Sequence, residues 1–451
     1  MSTWDELKKE ISDIGEMLWR NPELPLMEYY ASDTLIKWLQ TKGFKITRNL
    51  GGYPTAFKAE WGSGYPNIGM IAEYDALPGL SNHNGVTRKS LKQEAGHGCL
   101  HNHIGALNTG VAIAIKQELE KHRLKGTITV IGCPAEEIVM GKVALLHKGG
   151  FKGIDLLLTS HVDYQNAVLS RPSLAALQSE FAFSGVANHT GISRKQNALD
   201  SAELFIQTIE KVRYHRFPNV SIEHVIRHGG VAPNIATDFA SVWISMRSNQ
   251  YNDMISAYEE IKAMAQQCAF ICQVDNKEGF IASTHGYLPN DTVGDILYSH
   301  MKQVEIPRYT ESECSVLKEL IKNATNLETF TLDENIKYLK EGIEAYSQDD
   351  GEVSFHIPLG RMNWTMPQEL PLHNWATTAF AGMEMSYKGA FMVGEVLISS
   401  AIEMFKNPDL VKLAREELES RVKNNPIIPA TFNDGELLRK NPEAFWKGEW
   451  L

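Results

Sequence analysis

The sequence predicts an α/β protein in which a largely parallel sheet, covered by helices, is interrupted by a compact α+β insert. Three observations predict this. Over the first 170 residues or so, short apolar runs alternate with helix-patterned stretches, the order that yields a parallel sheet. From about Leu174 the texture changes to half-exposed alternating strands and two amphipathic helices. Near residue 284 the chain returns to helices and short strands. The expected organisation is therefore a first half over 1–173, an insert over 174–284 and a second half over 285–451.

The elements follow in order. Residues 4–20 and 28–43 carry apolar positions at helical spacing and are separated by "NPELPL", a turn signal. "IGMIAEY" is a continuous apolar run suited to a buried strand, and "HIGALNTGVAIAIKQELEKH" is a helix. "GTITVIGC" is a second strand, "MGKVALLHKGGF" a helix and "IDLLLTSHVD" a third strand. In the insert, "AALQSEFAFSGVAN", "SIEHVIRHGG" and "FASVWISMRS" alternate as antiparallel strands do. "ALDSAELFIQTIEKVRYH" and "MISAYEEIKAMAQQCAF" read as its helices. The second half closes with the helix "GAFMVGEVLISSAIEMF".

The chain has 451 residues, 43% hydrophobic and 22% charged, with ample material for a core. A net charge of −11 argues against a nucleic-acid backbone as partner, since that needs a basic face, and gives no support for an anionic membrane. No run approaches the length of a membrane span, and the first residues lack a signal-peptide layout. Five scattered cysteines do not form a disulfide framework, so a reducing cytoplasmic setting is expected. Cys268 and Cys272, four apart, read as thiols on one helix face.

Ligands of open α/β sheets sit at the carboxyl ends of the strands. Three loaded stretches fall there: Glu73 with Asp75, Glu136 with Glu137, and His161 with Asp163. "GHGCLHNH", residues 96–103, opens the helix between the first two strands. In an extended segment Cys99 and His101 would point to one side, and a thiolate with an imidazole suits zinc, manganese or a similar ion. The same stretch is also compatible with a histidine-rich helix start. In the Glu pair, one carboxylate could bind metal while the other takes a proton from water.

"AEYDALPGL", "GHGCLHNHIGA", "CPAEE", "SHVD", "GVANHTG", "GGVAPNIATD" and "PLHNW", in this order, resemble the M20 family of metallopeptidases, aminoacylases and carboxypeptidases. The similarity points to the amidohydrolase branch typified by p-aminobenzoyl-glutamate hydrolase. It implies a mixed-sheet catalytic domain with helices on both faces and an inserted lid that also dimerises. It implies two divalent ions per chain, manganese or zinc, held by Cys99, His101, Glu137, His161 and His373. Glu136 would be the general base, and His189 of the lid would steady the oxyanion. Asn234 and Arg247 would meet a small substrate carrying a carboxylate, and Asp75 would orient a ligand from behind. A homodimer through the insert is expected on the same ground.

The chain departs from the family's pattern around the site. Leu100 replaces the glycine of "CGH", which removes freedom at positive φ and could narrow the pocket. His103 and Asp163 are additional polar groups, and Asp349, Asp350 and His356 stand where relatives carry a Ser-Thr-Asp turn. The resemblance thus implies a metal-dependent hydrolase of an N-acyl or N-aroyl amino acid or a dipeptide. A hydrolytic deaminase of an aromatic amine such as a nitroanthranilate is the alternative on the same fold. A non-catalytic partner subunit is a third reading.

Overall fold

The computed structural model describes residues 4–434, 438–439 and 441–451. Two main sheets organise them. The larger has eight strands in the order Lys45–Arg48, Phe57–Ser63, Gly126–Cys133, Asn67–Glu73, Leu156–Asp163, Leu359–Thr365, Asn166–Leu169, Ile336–Leu339. Its centre, from Gly126–Cys133 to Leu359–Thr365, is parallel. Antiparallel pairs flank that centre, so the sheet is mixed, where strand order alone predicts a largely parallel one.

All seven residues of Asn67–Glu73 are buried, as expected of a strand covered on both faces. Side chains alternate between two layers. Ile68, Met70, Ile128, Val130, Leu156 and Leu158 face the helices Trp4–Arg20, His101–His122 and Tyr387–Lys406. Ile71, Ile131 and Leu157 face the helix Gly141–His147 and its neighbours. The chain runs from Asn67–Glu73 to the strand on one side, Gly126–Cys133, then crosses to the strand on the other, Leu156–Asp163. That reversal leaves a crevice above the end of Asn67–Glu73, where open α/β sheets bind ligands.

The second sheet is antiparallel, in the order Val220–His228, Phe239–Ser248, Ala175–Ser184, Asp275–Thr284. The helices Ala198–Arg216 and Tyr251–Cys272 pack on it through Phe205, Ile209, Tyr258 and Ile261. One outer strand, Asp275–Thr284, is covered: Ser283 N–H donates to Thr431 O at 2.8 Å and Asn433 N–H to Ile281 O at 2.7 Å. The other, Val220–His228, carries exposed Val225 and Ile226. Cys268 is buried and Cys272 partly so; both are free thiols. No helix among the described residues is long and apolar enough to cross a membrane.

Candidate metal centre

Six of the predicted residues converge above the crevice. Donor atoms of Cys99, His101 and His161 lie within 4.8 Å of one another, as do those of Cys99, Glu137 and His373, and those of His101, Glu136 and Glu137. Cys99 belongs to both of the first two groups, so its sulfur sits where it could join two ions.

Local backbone produces this convergence. Cys99 and His101 do not share an extended segment. Leu100 lies in the left-handed region at φ 57°, and His101 is the first residue of its helix. The kink, rather than strand alternation, turns both side chains inward. Leu100 itself is fully buried in the main core, so it does not narrow the pocket. His103 is buried too, stacked on Tyr387 with its Nε2 against Ser386 Oγ at 2.7 Å.

Hydrogen bonds fix which ring nitrogens face the centre. His101 Nδ1 meets Asp75 Oδ1 at 2.8 Å, leaving Nε2 3.8 Å from Glu136 and 3.9 Å from Glu137. Asp75 thus orients His101, and its other oxygen accepts the Glu137 amide at 2.9 Å. His161 donates from Nδ1 to Val162 O, leaving Nε2 3.6 Å from Cys99 Sγ. His373 Nε2 lies 3.6 Å from Glu137, and its half-exposed ring marks the open side of the centre.

The donors fit a divalent cation. His101 Nε2 and Glu137 Oε1 are buried and have no hydrogen-bond partner among the described residues, a costly state for polar atoms that a metal bond would relieve. Burial, reinforced by Glu73, drives the Glu136 carboxyl well above the ordinary range, and burial with Glu137 nearby pushes the Cys99 thiol up. Burial lowers His161 to about 4, so its ring is the neutral ligand form.

Behind the donors lies a buried ion network. The Lys142 ammonium, fully buried, pairs with Glu73 Oε1 at 2.8 Å and closely with Asp349. Burial pushes Glu73 up, but Lys142, His101 and His161 outweigh it and hold the carboxyl down to about 2. Asp350 pairs with buried Arg361. Asp349 and Asp350 are therefore occupied by cations and do not line the pocket. Asp163 accepts from Asn363 at 2.7 Å, and exposed His356 stands 3.9 Å from Glu352. Lys142 carried no signal in sequence, being one lysine in an apolar helical run.

The other predicted residues lie on the second sheet's periphery. His189 and Asn234 come together: His189 pairs with Ile235, and the Thr190 amide donates to Asn234 O at 3.1 Å. His189 is exposed, with Nδ1 accepting the Gly191 amide, and it is not among the grouped donors. Arg247 stands at the far end of Phe239–Ser248, eight residues or about 26 Å along the strand from Phe239. Arg247 and His189 thus lie toward opposite ends of the second sheet.

A mixed sheet with a separate antiparallel sheet appended is a fold this chain shares with solved structures. The YXEP protein of Bacillus subtilis, a dinuclear metal binding peptidase from the M20 family, shares the fold (TM-score 0.52, 15% identity, 88% of this chain and 99% of that one). One subunit of p-aminobenzoyl-glutamate hydrolase from Escherichia coli is 26% identical, over 93% of this chain and 94% of its own length. Human Xaa-Arg dipeptidase is 23% identical over 94% of this chain and 92% of its own. No family model matches the chain. The chain is similar along nearly its whole length to that p-aminobenzoyl-glutamate hydrolase polypeptide.

Proposed function

We propose that the protein hydrolyses the amide bond of an N-acyl or N-aroyl amino acid or a dipeptide, using two divalent ions, manganese or zinc. The observation that carries this reading is the pair of donor groups sharing Cys99, with Glu136 alongside. Cys99, His101 and His161 would hold one ion, and Cys99, Glu137 and His373 the other. Bound there, the ions supply an acidified water and a polarised carbonyl. Glu136, 3.8 Å from His101 Nε2, would take the water's proton and return it to the leaving nitrogen. Asp75 keeps His101 in one tautomer, and the neutral His161 ring presents its lone pair.

His189 and Asn234 would act from a second copy of the chain. Their exposed ribbon, and the uncovered strand Val220–His228 with Val225 and Ile226, support pairing of two second sheets. In such a dimer the ribbon would bring an imidazole to the oxyanion and an amide to the substrate carboxylate. Arg247 would have to reach the carboxylate from the far end of its strand, so Asn234 is the better placed of the two.

The test loads the protein with manganese or zinc and offers N-acyl amino acids, aroyl-glutamates, dipeptides and anthranilates. Two ions per chain and amino-acid release that falls about 10²–10⁴-fold in Glu136→Gln would support the reading. Ammonia from an anthranilate alone would replace it with ring deamination. Absence of bound ions and turnover would leave a non-catalytic partner subunit.

A further inference from the structure

Glu136 and Glu137 are neighbours in sequence, yet both face the metal centre. Adjacent residues of a strand point to opposite faces, so the backbone must break before them. It does so at Ala135, which adopts the left-handed region at φ 58°, and again at Val139, at φ 50°. Between these points the chain closes a turn, with the Val139 amide donating to Glu136 O at 2.7 Å and the Met140 amide to Ala135 O at 3.2 Å. A left-handed backbone is disfavoured at a non-glycine residue and persists only where its surroundings enforce it.

The enforcing group is Glu28, from the other end of the first half. It is completely buried. Its Oε1 accepts the Ala135 amide at 2.8 Å and the Leu26 amide at 2.8 Å, and its Oε2 accepts the Thr55 hydroxyl at 2.8 Å. These bonds reach Ala135, next to Glu136, while Asp75 grips the Glu137 amide on the opposite side. Glu28 is not among the grouped metal donors. Its hydrogen bonds go to scaffold, and the scaffold aims the two acids.

We infer that Glu28 is a positioning residue for the proposed hydrolysis, clamping the turn that presents Glu136 and Glu137. The inference rests on that proposed reaction for its kinetic consequence, but the clamp is observable without it. Burial, with Asp75 nearby, pushes the Glu28 carboxyl up to about 8, a near-neutral group that Gln imitates in shape and in its acceptor oxygen. Leu imitates only the bulk.

The experiment compares wild type, Glu28→Gln and Glu28→Leu in amide hydrogen exchange over residues 131–140, metal content and steady-state kinetics. In Glu28→Leu, exchange in this stretch should accelerate and kcat should fall about 10- to 100-fold, as misplacement of an acid–base group by an ångström does. KM should change little and two ions should remain. Glu28→Gln should restore both readouts to near wild type. If Glu28→Leu does not fold, Thr55→Val, which frees one carboxylate oxygen, should give a smaller change in the same direction. Unaltered exchange over 131–140, unaltered kcat, or loss of metal in step with kcat would overturn the inference. A wild type that turns nothing over would refute the proposed function instead, while the exchange result would still decide the clamp.

Discussion

Leu100 offers the most discriminating test of how this chain holds its centre. It combines a left-handed backbone with a completely buried side chain. Truncation to Ala keeps the backbone strain and removes the packing, at a cost of about 2–5 kcal/mol for a buried Leu. Truncation to Gly removes the packing but relieves a left-handed penalty of about 1–2 kcal/mol. Leu107 is the control, equally buried but inside the helix His101–His122 with ordinary dihedrals. There Gly should be worse than Ala by about 1 kcal/mol, the helix-interior penalty of glycine. At position 100 the relief offsets the greater freedom of glycine in the unfolded chain. Leu100→Gly should therefore match or exceed Leu100→Ala in stability, although both fall below wild type. The assay is urea unfolding of the four variants in chelator, compared by midpoint at equal m-values. Refutation would be a Gly–Ala gap at position 100 as large as that at 107, or a Leu100→Gly protein more stable than wild type.

Four further outcomes follow from the structure. Lys142→Met strands the carboxylates of Glu73 and Asp349 and should destabilise by about 3–5 kcal/mol in urea unfolding, as broken buried pairs do. Gly141→Ala places a Cβ 1.6 Å from Pro134 O, and the overpacking should cost at least about 1–3 kcal/mol by the same measurement. Burial pushes Glu352 up, but the hydrogen bond from His285 and the nearby His356 imidazole outweigh it and hold the carboxyl down to about 2, against an ordinary 4.5. Its contribution, at most about 3 kcal/mol, should be full above pH 4.5 and vanish as pH falls toward 2; Glu352→Gln should flatten that part of a stability–pH profile. Finally, stripping the metal should lower the thermal midpoint reversibly, by about 2.7 kcal/mol of linkage when the ion is at 100 times its dissociation constant; an unchanged midpoint would mean the donors hold no ion.

The parts of the fold set by periodicity were readable in sequence. "IGMIAEY" became the buried strand Asn67–Glu73 because a strand covered on both faces must be apolar throughout. The change of texture near Leu174 coincides with the start of the second sheet at Ala175. Resemblance supplied Cys99, His101, Glu136, Glu137, His161 and His373, and the fold brings their donor atoms into overlapping groups. What escaped was support. Lys142 is an unremarkable residue in "MGKVALL", and only tertiary packing reveals that its ammonium is enclosed by two carboxylates. Glu28 in "PLMEYY" looks like a solvated helix start, because a single carboxylate among apolar residues does not announce its partner 107 residues away. Leu100 was legible as a departure, but its left-handed backbone and its burial in the main core show only in the fold.

Among the described residues eleven non-glycine residues adopt positive φ, and some of them shape the candidate site. Leu100, Ala135 and His373 all adopt positive φ without being glycine, and each is, or adjoins, a residue whose donor atoms converge. A regular strand end can direct one side chain at a point, and the next residue faces away. Two adjacent acids from "PAEE", or a donor that opens a helix as in "GCLH", are therefore not presented by regular strand ends alone. Each segment must reverse its backbone within one residue, and the left-handed region achieves that reversal. Glycine would do so without steric cost but would leave the turn loose in the absence of a ligand. A bulkier residue makes the reversal costly, so packing and hydrogen bonds must impose it, as the core does at Leu100 and Glu28 does at Ala135. The free energy held in these kinks is the cost of donors that are already aligned before any ion or substrate arrives.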